Sequence, residues 1–201
     1  MLFDLKLNNT KLVYPPPAAY LETLYLPCLV AKELGDEANY KLMMERSNNY
    51  KTPCTPSACM KILDHYGIDC SGKKAVVIGR SPVVGKPAAM MLLQKNATVT
   101  ICHTKTTDMP SVVKEADIVI VAAGRAGVIG ADYLRAGQTI IDVGINVNEE
   151  GRLCGDVSFA DAEPLVDAIT PVPGGVGSVT TSVLVEHVVD AALLKAGLDI
   201  L

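Results

Sequence analysis

The stretch Lys74–Lys95, KAVVIGRSPVVGKPAAMMLLQK, constrains this chain most. A short apolar run, Ala75 to Ile78, stops at Gly79; a loop of Arg80, Ser81, Pro82, Val83 and Val84 leads to Gly85 and Lys86, and Pro87 opens a segment that reads as helix to about Lys95, with Pro87 as its first residue. A buried strand that ends in glycine and feeds a helix aims the free N–H groups and positive dipole end of the helix at an anion, which makes the stretch a candidate phosphate site.

The apolar runs that follow decide the fold class. Thr98–Cys102 is β-branched, Asp117–Gly124 (DIVIVAAG) is apolar enough for burial on both faces, and Thr139–Gly144 (TIIDVG) repeats the pattern. Helical connectors are expected near 110–115 and 131–134, a surface hairpin or loop over 145–156, a helix near 161–167 and a last strand at 168–170. Strands alternating with helices at this spacing give a parallel sheet wound by right-handed crossovers. Upstream, Thr55 reads as N-cap, Pro56 as first helical residue and Gly67 as C-terminal stop of a three-turn helix, in which His65 is structural. Val179–Ala196 reads as an amphipathic closing helix with Val183, Leu184, Val188, Ala191 and Leu194 on one stripe. Residues 1–50 carry no chemical motif; after Tyr14–Pro17, short helices are expected over 18–26 and 38–46.

Composition narrows the function classes. Net charge is −4, with 18 Lys+Arg against 22 Asp+Glu, two Phe and no Trp, so neither a basic field nor stacking platforms point to nucleic acid. No apolar run is expected to reach the roughly 18 residues of a membrane span, and the N-terminus lacks the layout of a signal peptide. Six cysteines without a C-x-x-C pair read as reduced thiols of a cytoplasmic protein, with no metal site.

The glycine loop is neither of two common types. A Walker A loop needs four residues between its glycines and a hydroxyl after the lysine; here five separate Gly79 from Gly85, and Pro87 takes the hydroxyl position. Ser81 stands where the G-x-G-x-x-G fingerprint has its second glycine. At the end of the second strand His103, Thr104 and Lys105 replace the acid that would bind a ribose 2′-OH. A hydroxyl, a lysine and Arg80 suit a 2′-phosphate, and the expected cofactor is NADP.

Pro53–Pro56 (PCTP), VVIGRSPVVGKP, ATVTICHTKT, DVGIN (Asp142–Asn146), GDV (Gly155–Val157) and ITPVPGGVG (Ile169–Gly177) resemble, in order and spacing, the bifunctional methylenetetrahydrofolate dehydrogenase/cyclohydrolase family over about residues 52–196. The resemblance implies a Rossmann-like α/β domain at 53–178, a reduced N-terminal substrate-side domain at 1–52, and a C-terminal helix at 179–201 packing back on it. It implies a tetrahydrofolate-type substrate and a homodimer. Gly79, Arg80, Ser81, Gly85, His103, Thr104, Lys105, Gly124 and Ile145 become the candidate cofactor residues, Thr104 by the 2′-phosphate and Ile145 by the nicotinamide. Pro173, Gly174, Gly175 and Gly177 would line the substrate cleft.

The resemblance stops before Pro53. The family's Tyr-x-x-x-Lys, Q-L-P-L-P and D-G-F segments have no counterpart, and nothing singles out Lys6, Lys11, Lys32, Lys41 or Lys51 as a substitute, so no catalytic residue is assigned. Oxidation of methylenetetrahydrofolate, with or without hydrolysis of the methenyl product, is the leading expectation. A silent NADP-binding homologue and an enzyme for another pterin carrier are the alternatives.

Overall fold

The computed structural model describes residues 4–7, 10–13, 35 and 53–195, and the chain divides into two compact units, Met1–Lys51 and Thr52–Leu201. In the first, β1 (Asp4–Leu7) pairs antiparallel with β2 (Thr10–Val13), Asp4 opposite Val13 and Leu7 opposite Thr10. The sequence reading missed this hairpin; the helices expected over 18–26 and 38–46 lie outside the described residues.

The second unit is built on a five-stranded, all-parallel sheet: β3 (Lys74–Ile78), β4 (Thr98–Cys102), β5 (Ile118–Val121), β6 (Thr139–Asp142) and β9 (Ala168–Ile169), in the order β4-β3-β5-β6-β9. Successive residues of each central strand serve opposite faces. Ala75, Val77, Ile118, Ile120 and Ile141 pack under α1 (Cys54–His65), α2 (Gly85–Gln94) and α5 (Val176–Lys195). Val76, Ile78, Val119, Val121 and Ile140 pack under α3 (Met109–Lys114), α4 (Phe159–Ala162) and the loops carrying Ile129 and Leu134. Two covered faces explain why the strands read as unbroken apolar runs. The expected loop at 145–156 holds a short hairpin, β7 (Asn146–Val147) with β8 (Leu153–Cys154).

Polar ties close the sheet's amino end. Gln138, fully buried, accepts from the Arg135 N–H and donates to the carbonyls of Val113 and Ala116. Gln138→Ala orphans the Arg135 N–H and takes one donor from each carbonyl, which keep the Ala116 N–H (on Val113) and the Arg135 guanidinium (on Ala116), and is expected to cost about 2 kcal/mol in a urea titration. Asp117 accepts from the Lys74 N–H at 3.0 Å, and that bond, with nearby Lys73 and Arg135, holds its carboxyl below the usual range. Its stabilisation is therefore present above the unfolded aspartate value of about 3.9 and is lost as pH falls through the lower folded value. Asp117→Asn is expected to flatten the acid limb of a stability-against-pH curve; an unchanged limb would contradict this.

Three helix details differ from expectation. α1 begins at Cys54 with Pro53 as N-cap and no side-chain cap, so Thr55 lies inside the first turn. α2 begins at Gly85, which makes Pro87 its third residue; a missing N–H costs nothing anywhere in the first turn. α5 starts at Val176, and of the predicted stripe Val183 faces inward while Leu184, Val188 and Ala191 do not. Val176 and Val183 are buried, while Leu184, Val185, Val188 and Val189 are 50–62% exposed. Apolar residues surround this helix, and Val176–Leu193 reaches the length and mean hydropathy (1.3) of a membrane span. Glu186, His187 and Asp190 interrupt it, and it packs along α1 through a Lys61–Glu186 ion pair at 3.0 Å and a Cys54 Sγ–His187 Nδ1 contact at 3.6 Å. The five described cysteines are free, and burial pushes the Cys59 thiol up to about 12.

Candidate nucleotide site

In strand order 2-1-3-4-5, as here, the direction in which strands are added reverses between the first and third sheet strands, and ligands of such sheets bind at the carboxyl ends there. Those strands are β3 and β5. Gly79 follows β3 at φ +122°, and a Cβ on it would fall far inside van der Waals contact of the Ala122 carbonyl oxygen at the end of β5. A Cβ on Gly85 would collide with the Gly79 carbonyl in the same way, so both glycines are required for the loop to fold back on its helix.

Ser81 changes the reading of the loop. Its Oγ accepts from the N–H groups of Val84 (3.0 Å) and Gly85 (3.4 Å), and its carbonyl accepts from Lys86. The first-turn donors that the sequence suggested were free for a phosphate are therefore used internally. The loop donors without a partner among the described residues are the Arg80, Ser81 and Val83 N–H and the Ser81 hydroxyl hydrogen. The donors left for an anion lie in the loop and not in the first turn of the helix.

β4 brings the second group beside the first, since Cys102 lies opposite Ile78. His103 is shaped by a tight turn: its N–H donates to Thr106 Oγ1 at 2.9 Å, and its Nδ1 accepts from the Lys105 N–H at 3.1 Å. The imidazole is thus committed to the turn, while the side chains of Thr104, Lys105 and Arg80 are exposed.

The far side of the crevice is held by two buried carboxylates that the sequence reading passed over. Asp142 ends β6 and accepts from the N–H groups of Gly144, Asp156 and Val157 at 2.9–3.1 Å. Burial pushes its carboxyl up from the usual range, against the pull of these donors, with neighbouring Asp156 adding to the push. Asp156 accepts from the N–H groups of Ala123 (2.6 Å), Gly124 (2.8 Å) and Arg125 (2.9 Å) and from Asn146 Nδ2 (2.9 Å). The available signal was a charge within an apolar run, TIID, and one between Gly155 and Val157. Ile145, 69% exposed, stands next to this network. A cavity of about 180 Å³ joins it to Pro173, Gly174, Gly175 and Gly177, and a Cβ on Gly177 would meet Ile145 Cδ1 at 3.9 Å. A larger groove, about 970 Å³, runs along β9 between α1 and α5. It lies off the switch point, and the smaller cavity at the strand ends is the one tied to the candidate residues. The side chains of Lys6, Lys11, Lys32, Lys41 and Lys51 lie outside the described residues.

Sheet order, the glycine loop and the basic second-strand end together define a dinucleotide-binding α/β domain. The model of the tetrahydrofolate dehydrogenase/cyclohydrolase NAD(P)-binding domain matches residues 53–196, and the chain belongs to that family. It is 57% identical over 148 residues to the bifunctional protein FolD of Carboxydothermus hydrogenoformans, covering 73% of this chain and 52% of that protein. With FolD of Clostridium botulinum strain Kyoto the identity is 48% over 195 residues, 92% of this chain and 69% of the relative. Among solved structures, the bifunctional FolD methylenetetrahydrofolate dehydrogenase/cyclohydrolase of Campylobacter jejuni superposes with a TM-score of 0.70 at 46% identity, over 71% of this chain and 51% of that one. The Trypanosoma brucei enzyme, solved with NADP and an inhibitor, gives 0.64 at 40% identity over 69% and 49%. The chain thus spans about half the length of these solved structures and of the Carboxydothermus relative.

Proposed function

We propose that this chain binds NADP and oxidises methylenetetrahydrofolate to methenyltetrahydrofolate, with hydrolysis to formyltetrahydrofolate as the companion activity of its family. The observation that carries the reading is the pairing, at the switch point, of a glycine loop with unpartnered donors and a strand end that offers Thr104 and Lys105 instead of an acid. These residues fit a phosphorylated dinucleotide. The Ser81 hydroxyl and the Arg80 and Ser81 N–H groups would hold the pyrophosphate, and Gly79 and Gly85 keep the backbone low enough for it to approach. Arg80, Thr104 and Lys105 would hold the 2′-phosphate, with His103 shaping the turn beneath them. Gly124 would border the nicotinamide ribose on the far wall.

When bound, NADP supplies the hydride acceptor. The protein's part is to orient and to exclude water: Ile145 and the Pro173–Gly177 turn form an apolar wall with room for a flat ring beside it. Hydrolysis of the methenyl product additionally needs a positioned proton-transfer group. A homodimer in a reducing, cytoplasmic setting belongs to the same reading, in keeping with the free thiols and with the half-exposed Met90, Leu93 and Ile101 on α2 and edge strand β4.

The purified chain, given methylenetetrahydrofolate and NADP, should raise the absorbance of the methenyl product, and decay of that signal after NADP is exhausted would report the hydrolase. NADP binding without turnover would overturn the dehydrogenase assignment.

A further inference from the structure

The Asp156 carboxylate is fully buried and lies against no basic side chain among the described residues; two oxygens receive four N–H donors. Three of these are consecutive amides of the turn after β5, and the fourth is the side chain of Asn146 in the corner after β6. Asp156 therefore binds both carboxyl-end loops of these two neighbouring strands through one side chain, beyond the direct Val143 N–H to Val121 carbonyl bond at the strand ends. Its own backbone is fixed from below, because its N–H donates to Asp142 Oδ1 at 3.1 Å, and the Ile129 N–H donates to its carbonyl at 3.0 Å. Gly144 and Gly155 make the arrangement possible: a Cβ on the first would strike Asp156, and one on the second would strike Asp142.

We propose that Asp156 is a positioning residue for the nicotinamide half of the site, holding the Ala123–Arg125 turn and the Ile145–Asn146 corner in the one relation that admits the dinucleotide. This rests on the NADP reading above. The carboxylate touches neither cofactor nor substrate in this proposal; it acts through Gly124 and through Ile145, the neighbour of Asn146. The 2′-phosphate end, at Arg80, Thr104 and Lys105, lies on the other side of β3 from β5 and shares none of the Asp156 bonds. The two halves of the site should therefore respond separately.

The test uses the full chain as wild type, Asp156→Asn and Asn146→Ala, titrated calorimetrically with NADP and with 2′,5′-ADP, which carries the 2′-phosphate but no nicotinamide. An amide at 156 sets an NH₂ against N–H donors, whereas Asn146→Ala removes one donor and leaves the turn clamp. NADP binding should weaken by about tenfold or more in Asp156→Asn and by about threefold in Asn146→Ala, each tenfold being about 1.4 kcal/mol, with 2′,5′-ADP affinity unchanged in both. A purely structural role would weaken both ligands alike or neither, and either result overturns the proposal. If Asp156→Asn does not fold, Asn146→Ala decides alone. A wild type that binds 2′,5′-ADP and NADP equally well overturns this proposal while leaving the nucleotide site standing; a wild type that binds neither overturns the functional reading itself.

Discussion

Gly155→Ala is expected to destabilise the Thr52–Leu201 unit by about 3–5 kcal/mol, a large fraction of the roughly 5–15 kcal/mol stability of an ordinary domain. The new methyl group would overlap Asp142 Oδ2, with the rest of that carboxyl group also inside van der Waals contact. Asp142 cannot step aside cheaply. Its oxygens receive the N–H groups of Gly144, Asp156 and Val157, and the residue is 3% exposed, so displacement strands a buried carboxylate and three donors together. Gly151→Ala is the matched control. That glycine has φ +76° with nothing within 4 Å of a Cβ, so it should cost only about 1 kcal/mol of backbone strain. Urea unfolding followed by circular dichroism separates the two, and equal costs would mean that Asp142 is not pinned as described.

The contrast marks where sequence reasoning succeeded on this chain. The three central strands β3, β5 and β6 were legible because a strand buried on both faces must be apolar throughout, as in DIVIVAAG, and the more exposed edge strand β4 because its residues are β-branched. The loop at 79–85 was legible as a tight strand-to-helix turn because Gly79 takes a positive φ and neither glycine has room for a side chain. Its donors were misassigned because a serine hydroxyl that caps the helix from inside the loop looks, in one dimension, the same as one left free. The phase of α5 was misread for a different reason. When Val183, Leu184, Val185, Val188 and Val189 follow one another around a helix, periodicity carries no direction, and packing against α1 selects Val183. β1 and β2 are four residues each, too short for alternation to stand out. The carboxylate network had the least chance of all. Asp142 and Asp156 are 14 residues apart, and Asp156 reaches back 33 residues to Ala123, so their partnership exists only after the sheet has formed. The sign of such a pair in a sequence is an acid beside a glycine at the end of an apolar run, where solvation would not favour it.

Replacing Arg80 and Lys105 together by alanine should weaken NADP binding about 10²–10³-fold and leave NAD binding within about threefold, because each charge-assisted contact to a phosphate contributes roughly 1.5–3 kcal/mol and the effects on one group are not fully additive. The protein is well suited to the measurement. Both side chains are exposed, and neither takes part in an ion pair among the described residues, so their removal should leave the melting temperature unchanged. His103 is different: its Nδ1 and backbone form the turn that presents Thr104 and Lys105, so His103→Ala would disturb the loop and blur the result. Wild-type affinity for NADP should fall with added salt while that for NAD barely moves, since two solvent-facing cations are screened over about 8–10 Å at ordinary ionic strength. In the double variant the salt dependence should disappear along with the preference. A double variant that still prefers NADP would place the 2′-phosphate elsewhere, and a wild type that binds NAD and NADP equally would remove the physical reason for choosing NADP at this strand end.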